Sequence, residues 1–281
     1  MTSFSISPAA TVGPEAAKRL PLTLLVSLAI LITAAAWAVA PDLFTSYSGT
    51  VGLKGNQLQP PSATHLLGTD ELGRDLLARI IHGTRYSLSG AFVAVSIGLV
   101  TGSLIGLIAG TSGSRVDALL MRMIDVLLAV PTLLLSLAII IILGFGHVQA
   151  AIAVGATAIA SFARLMRSDV ISVWRADYVE AAFASGARTP AVLWRHVLPN
   201  ALTSVLALAA LQFGWAILQI STLGFLGYGA PPPTPEWGLL IAEGRNYMMI
   251  AWWLTLFPGA AVILVVLASN NIGHILQRRR G

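Results

Sequence analysis

The chain contains no cysteine, and its lysines are only Lys18 and Lys54. Without thiols there is neither a disulfide framework nor a thiolate metal site. A Walker phosphate loop needs a Lys directly after Gly. Lys18 follows Ala17 and Lys54 follows Leu53, so the chain has no ATP site of that kind. No HExxH or Ser-His-Asp pattern occurs, which leaves a membrane protease without support. Charge is also scarce. Charged residues make up 10% of the 281, against about 25% in soluble domains. Hydrophobic residues reach 56% and the mean hydropathy is +0.80. The net charge of +5 is too small and too scattered for a nucleic-acid partner. The composition is that of a membrane protein.

A helix needs roughly 20 apolar residues to cross a bilayer. Six stretches qualify: 20–40, 86–110, 123–143, 148–166, 201–220 and 251–270. The fourth is the weakest, being rich in Ala and Gly and ending in Ser161, Arg164 and Arg167. The first could be read as a signal peptide, with Ala38-Val39-Ala40 as a cleavage site. Its apolar run is about twice the ~7–15 residues of a signal h-region, so a span is the better reading. With the N-terminus in the cytoplasm, alternation puts 12 of the 17 Lys and Arg inside. The five outside are Lys54, Arg74, Arg79, Arg85 and Arg245. Positive charge stays inside, so both termini are expected in the cytoplasm.

Span two carries Gly98, Gly102, Gly106 and Gly110 at intervals of four, a ridge that lets another backbone approach closely. Packing within one bundle is expected, with a dimerisation face as the alternative. The first outer segment, 41–85, ends in an amphipathic stretch capped by Thr69 or Asp70. Its charges, among them His65, Asp70, Glu71, Asp75 and His82, are expected on a solvated helix face rather than around a metal. Trp237 is expected at the membrane interface. The Gly- and Pro-rich second outer connection excludes regular helix through 224–235 and is a candidate for lining a path. Asp125 is expected to pair with Arg122 at i, i+3 near the cytoplasmic rim, too shallow for a proton carrier. A gradient-driven transporter therefore has little support.

One polar segment interrupts this oily chain: "DYVEAAFASGARTPAVLWRHVLPN", residues 177–200. It reads as a short helix, a break at Gly186, and a second helix opened by Pro190 and ended by Pro199. Between two spans, it is either a docking element or a polar loop.

Glu180-Ala181-Ala182, Gly186 and Leu198-Pro199 resemble the EAA loop of ABC importer permeases. The wider run, with Arg175, Arg195 and His196, resembles the branch that imports dipeptides, oligopeptides and nickel. "HLLGTDELGRD" (65–75), "RVDALLMRMIDVLLAVPTLLL" (115–135), "LGFLGYGAPPPTPEWG" (223–238) and "FPG" (257–259) follow in family order. The chain is thus similar to the C-type permease of that branch. Its ending, "NNIGHILQRRRG", departs from the family pattern, with His274 where Asp is usual.

The resemblance implies an all-α polytopic protein of six transmembrane helices with the type I ABC importer permease fold. A cytoplasmic tail (1–19), a permease domain (20–274) and a second tail (275–281) follow. Within the permease domain lie the outer segment 41–85, the coupling loop 164–200 and the outer loop 221–250. It further implies a bacterial inner-membrane location, surrounding lipid and three kinds of protein partner: a second permease, two cytoplasmic ATPases and an extracytoplasmic binding protein. No cofactor belongs to this chain, since ATP is bound by the ATPases. Glu180, Ala181, Ala182, Gly186, Arg195, His196, Leu198 and Pro199 are the implied ATPase contacts. Gly224, Phe225, Gly227, Pro235 and Trp237 are the candidates for the path. Peptides are the first substrate reading, nickel or a metal chelate the second.

Overall fold

The structure is a computed structural model that describes residues 22–278. The tail 1–17, expected to be disordered, and the basic residues Lys18, Arg19, Arg279 and Arg280 lie outside the described residues. Helices occur in the order α1 (Leu22–Val39), α2 (Leu76–Thr111), α3 (Ser114–Ala129), α4 (Thr132–Leu143), α5 (His147–Trp174), α6 (Asp177–Ala184), α7 (Thr189–Val192), α8 (Leu198–Phe225), α9 (Trp237–Gly244) and α10 (Trp253–Arg278). Four of these (α1, α2, α5 and α10) are long and apolar enough to span a membrane, as is the rod from Thr189 to Phe225.

The third expected span differs. Residues 123–143 are not one helix: α3 and α4 meet at 95°. Pro131 explains the break, because its ring disfavours helical backbone at the preceding residue, and Val130 is extended at φ −91, ψ 130. Uniform hydropathy across "DVLLAVPTLLL" concealed it. With 12 residues, α4 reaches only about 18 Å.

In lipid, apolar surface gains nothing by leaving the solvent, so close packing holds the helices together. The glycine ridge of α2 supplies it inside the chain, against α5. A Cβ on Gly98 would lie 2.7 Å from Ala158 Cβ, one on Gly102 2.7 Å from Phe162 Cβ, and one on Gly110 2.7 Å from Val170 Cγ1. Gly106 abuts Ala163 and Met166. In return, Gly155 of α5 lies against Ala94 of α2. α8 and α10 complete the bundle around Ile217, Ile220, Leu254 and Val262. α1 is tied to α10 by Asn271, whose amide donates to Thr23 O at 3.0 Å and Ser27 Oγ at 2.9 Å.

Pro199 does not end a helix. It cannot donate to Arg195 O and its ring would crowd that carbonyl. A wider π turn over Leu193–Val197 absorbs the conflict, with Leu198 N–H donating to Leu193 O. The rod therefore runs from α7 into α8.

Candidate functional site

The segment 177–197 folds as a helix–turn–helix at one end of the bundle. α6 stops in a Schellman motif: Ala187 N–H donates to Ala182 O at 3.1 Å and Gly186 N–H to Phe183 O at 2.9 Å. Gly186 sits at φ +87, a left-handed conformation that costs other residues about 1–2 kcal/mol. A Cβ there would meet nothing within 4 Å. Val179, Val192 and Val197 are fully buried and anchor the element from below. The Trp174 and Phe183 rings pack at 5.8 Å, and Tyr178 lies 6.2 Å from His196.

Above these anchors the implied contact residues are distributed unevenly. Glu180, Ala181, Gly186, Arg195 and Pro199 are exposed, whereas Ala182, His196 and Leu198 are half-buried. Trp194 was not singled out from sequence, yet it is 70% exposed beside them. Trp is among the residue types most enriched in contact hot spots. It lies on the same exposed side as Ala191 and Arg195, opposite the buried Val192 and Val197.

At the opposite end, the first connection is not a solvated helix face. Asp75, not Thr69 or Asp70, caps α2, accepting Ala78 N–H at 2.8 Å. Asp70, Arg74 and Arg79 are each at most 2% exposed. Asp70 Oδ2 accepts from Arg74 Nε at 2.5 Å and Arg79 Nη1 at 2.8 Å. Arg79 Nη1 also reaches Glu243 Oε2 in α9 at 2.8 Å. Arg74 Nη2 meets Glu71 at 3.1 Å, and His65 Nδ1 pairs with Asp75 at 2.9 Å. Isolated charges cannot be buried cheaply, so each finds an opposite partner. Burial pushes the Glu71 carboxyl above its ordinary 4.5.

The path candidates of the second connection form a packed clamp. Gly227, at φ +86, ends α8 in a second Schellman motif, with Tyr228 N–H donating to Leu223 O at 2.8 Å. Gly224, inside the last turn of α8, leaves room for the Glu236 carboxylate. Phe225 carries Arg245 over its ring at 5.5 Å. Pro235 is buried and borders a polar pocket of 410 Å³ with Asp42, His82 and Arg85. Trp237, expected at the interface, is 1% exposed and donates its indole N–H to Ile80 O at 3.1 Å.

Glu236 caps α9, accepting Gly238 N–H at 2.9 Å and Leu239 N–H at 3.0 Å. Burial raises its carboxyl above the ordinary 4.5, and the amide hydrogen bonds offset only part of that. A raised carboxyl contributes its full share of stability below the unfolded value and loses it as pH climbs through the folded one. The melting-temperature difference between wild type and Glu236→Gln in detergent should therefore shrink as pH rises from 4.5. A flat or growing difference would place Glu236 in a wetter site. Glu71 shifts in the same direction and cancels in this comparison.

Two cross-helix ion pairs tie α3 to α5. Asp125 does not pair with Arg122; it takes Arg164 Nη2 at 2.6 Å. Asp117 accepts both Arg167 Nε and Nη2. The i, i+3 expectation failed because α5 offers a guanidinium across the groove.

The fold is thus a polytopic helical bundle with a broken third span and an exposed helix–turn–helix, and comparison with known proteins gives its class as the permeases of ABC importers. The family model of binding-protein-dependent transport system inner membrane components matches residues 102–281, and the chain belongs to that family. It is 42% identical over 253 residues to the dipeptide transport system permease protein DppC of Alkalihalophilus pseudofirmus, covering 90% of this chain and 83% of that one. It is 45% identical to the di/tripeptide transport system permease protein DppC of Pseudomonas aeruginosa, over 78% of this chain and 75% of that one. Among solved structures, inward-facing MetNI methionine ABC transporter aligns with a TM-score of 0.59 at 18% identity, over 72% of this chain and 95% of that chain. An amino acid ABC transporter crystallised with histidines gives 0.55 at 20%, over 72% and 94%. The protein is a multi-pass inner-membrane permease subunit of the peptide branch, with the type I importer fold.

Proposed function

We propose that this chain pairs with a second, related permease to form a path for peptides, driven by two ATPase subunits that dock on residues 177–199. The observation that carries the coupling role is the exposed helix–turn–helix. Its buried valines make it stiff, while Glu180, Ala181, Gly186 and Trp194 face outward with nothing among the described residues to cover them. A stiff element continuous with the α8 span converts a push on the loop into movement of the span. The Lys and Arg bias supports a cytoplasmic location for this loop and both termini, where ATP is available. An extracytoplasmic binding protein delivers the substrate to the opposite end. The peptide reading rests on the relatives named for dipeptide and di/tripeptide transport.

The test is to tag the N-terminus, extract the chain in mild detergent and identify co-purifying proteins by mass spectrometry. Recovery of a second permease and one or two Walker-containing ATPases is the expected result. Association with machinery for a nickel or metal–chelate importer would move the substrate assignment. Purification alone, across several detergents, would overturn the reading in favour of a gradient-driven carrier.

A further inference from the structure

The weakest of the apolar spans is also the most informative. α5 and α8 each have 28 residues, and each carries a polar side chain half-way along: Ser161 and Gln212. They line one cavity with Thr132, Thr157 and Trp215. All five are at least partly exposed in this chain. Neither the Ser161 hydroxyl nor the Gln212 amide has a hydrogen-bond partner among the described residues. Half-exposed, unpartnered polar groups at the centre of spanning helices are costly against hydrocarbon. They are stable where a water-filled space covers them.

Two independent features agree with such a space. The α3–α4 break lies beside it, with Thr132 on its rim. Helix breaks at membrane depth are tolerated where the freed backbone groups line a cavity. Two further cavities follow along α5 toward the coupling loop. Ser161 borders a second one with Arg164 and Gln277, and Arg164 borders a third with Asp117, Asp125 and Arg167. On α5 the track is Thr157, Ser161 and Arg164, at i, i+4 and i+7, one face of the helix. Further along α8, at i+7 from Gln212, Gln219 buries an amide nitrogen without a partner among the described residues.

We infer that Thr132, Thr157, Ser161 and Gln212 line this chain's half of the substrate path and hydrogen-bond the main-chain amides of a passing peptide. The inference rests on the importer reading above. Hydroxyls and a carboxamide both donate and accept, as a peptide main chain requires, and they do not discriminate among its side chains. A bare divalent cation would need carboxylate or imidazole ligands, which this wall does not present.

Because the chain has no cysteine, single cysteines report water access without background from it. The complex with its second permease, ATPases and binding protein, in membranes, is treated with a charged, impermeant methanethiosulfonate. Ser161→Cys and Gln212→Cys should react, and alanyl-alanine at ~10 Kd should slow the reaction about tenfold. Ile263→Cys, on the apolar stripe of α10 with Leu256 and Leu267, should stay unreacted. Gln212→Leu should raise the KM for dipeptide uptake up to about tenfold with ATPase association unchanged. Uptake by the parent complex is scored separately. If peptide is transported but neither cysteine reacts, the path runs elsewhere and the importer reading stands. If both react and the dipeptide protects neither, these groups do not touch the substrate. If the parent complex transports no peptide, the peptide reading itself fails and the inference with it.

Discussion

Gly186→Trp and Glu180→Lys should each abolish peptide uptake while leaving the chain inserted and folded. Neither residue has a partner among the described residues that would account for such a loss. The space around a Gly186 Cβ is open, and Glu180 is exposed with no ion pair among the described residues. Replacing Gly at φ +87 costs about 1–2 kcal/mol of backbone strain, a fraction of a domain's stability. A transport defect far larger than this local cost must arise from something outside the chain that packs on the loop. Trp194→Ala provides the control in the other direction, since it removes an exposed side chain and introduces no clash. It should weaken ATPase retention by an amount typical of an aromatic hot spot, about 2 kcal/mol or more. The measurements are radiolabelled dipeptide uptake and the amount of ATPase retained on the purified permease. Unchanged uptake and unchanged retention in Gly186→Trp and Glu180→Lys would remove residues 177–199 from the coupling contact.

The fold was legible where local chemistry decides it. Five spans announce themselves by length and apolarity, and Gly186 marks the loop's turn because only a left-handed residue closes a Schellman motif there. The rest depended on partners distant in sequence. "HLLGTDELGRD" reads as a solvated face because acids and bases alternate at helical spacing. It folds instead against residues 53–59 through backbone bonds such as Leu58 N–H to Asp70 O, and its Asp70 shares Arg79 with Glu243 of α9, which no local pattern connects to it. Asp125 looked satisfied by Arg122, and only the α3–α5 crossing shows that Arg164 takes it. The broken third span was visible as Pro131, but the apolar run on both sides overrode it. Pro199 was misread for the opposite reason: proline ordinarily stops a helix, and a π turn removes the conflict without stopping this one. The polar stripe on α5 was already present in the sequence as the weakness of its span. Its meaning required the neighbouring Gln212 and Thr132.

The second large effect concerns Arg79. Its side chain is 1% exposed, and Nη1 serves both Asp70 and Glu243, while Nε and Nη2 lack partners among the described residues. Arg79→Met would leave two carboxylates facing one another with only Arg74 to neutralise them, 3.7 Å from Glu243. Removing one member of a buried charge network costs about 3–5 kcal/mol, where an exposed pair costs about 0–1. At about 2–4 °C per kcal/mol for a chain of this size, the melting temperature should fall by on the order of 10 °C. Arg79→Lys keeps the charge but not the planar fork, and should fall between the two. The double variant Arg79→Met with Glu243→Met should recover part of the loss, because the unpaired carboxylate is removed together with its cation. A shift of only about 1 °C in Arg79→Met would mean that water reaches this network and that the first connection is held to α9 by other contacts. A large shift in the single variant with recovery in the double would establish that one guanidinium ties the first connection to α9. The same connection leads directly into α2, the helix whose glycine ridge packs on α5, so loosening it would slacken the wall of the groove that Ser161 lines.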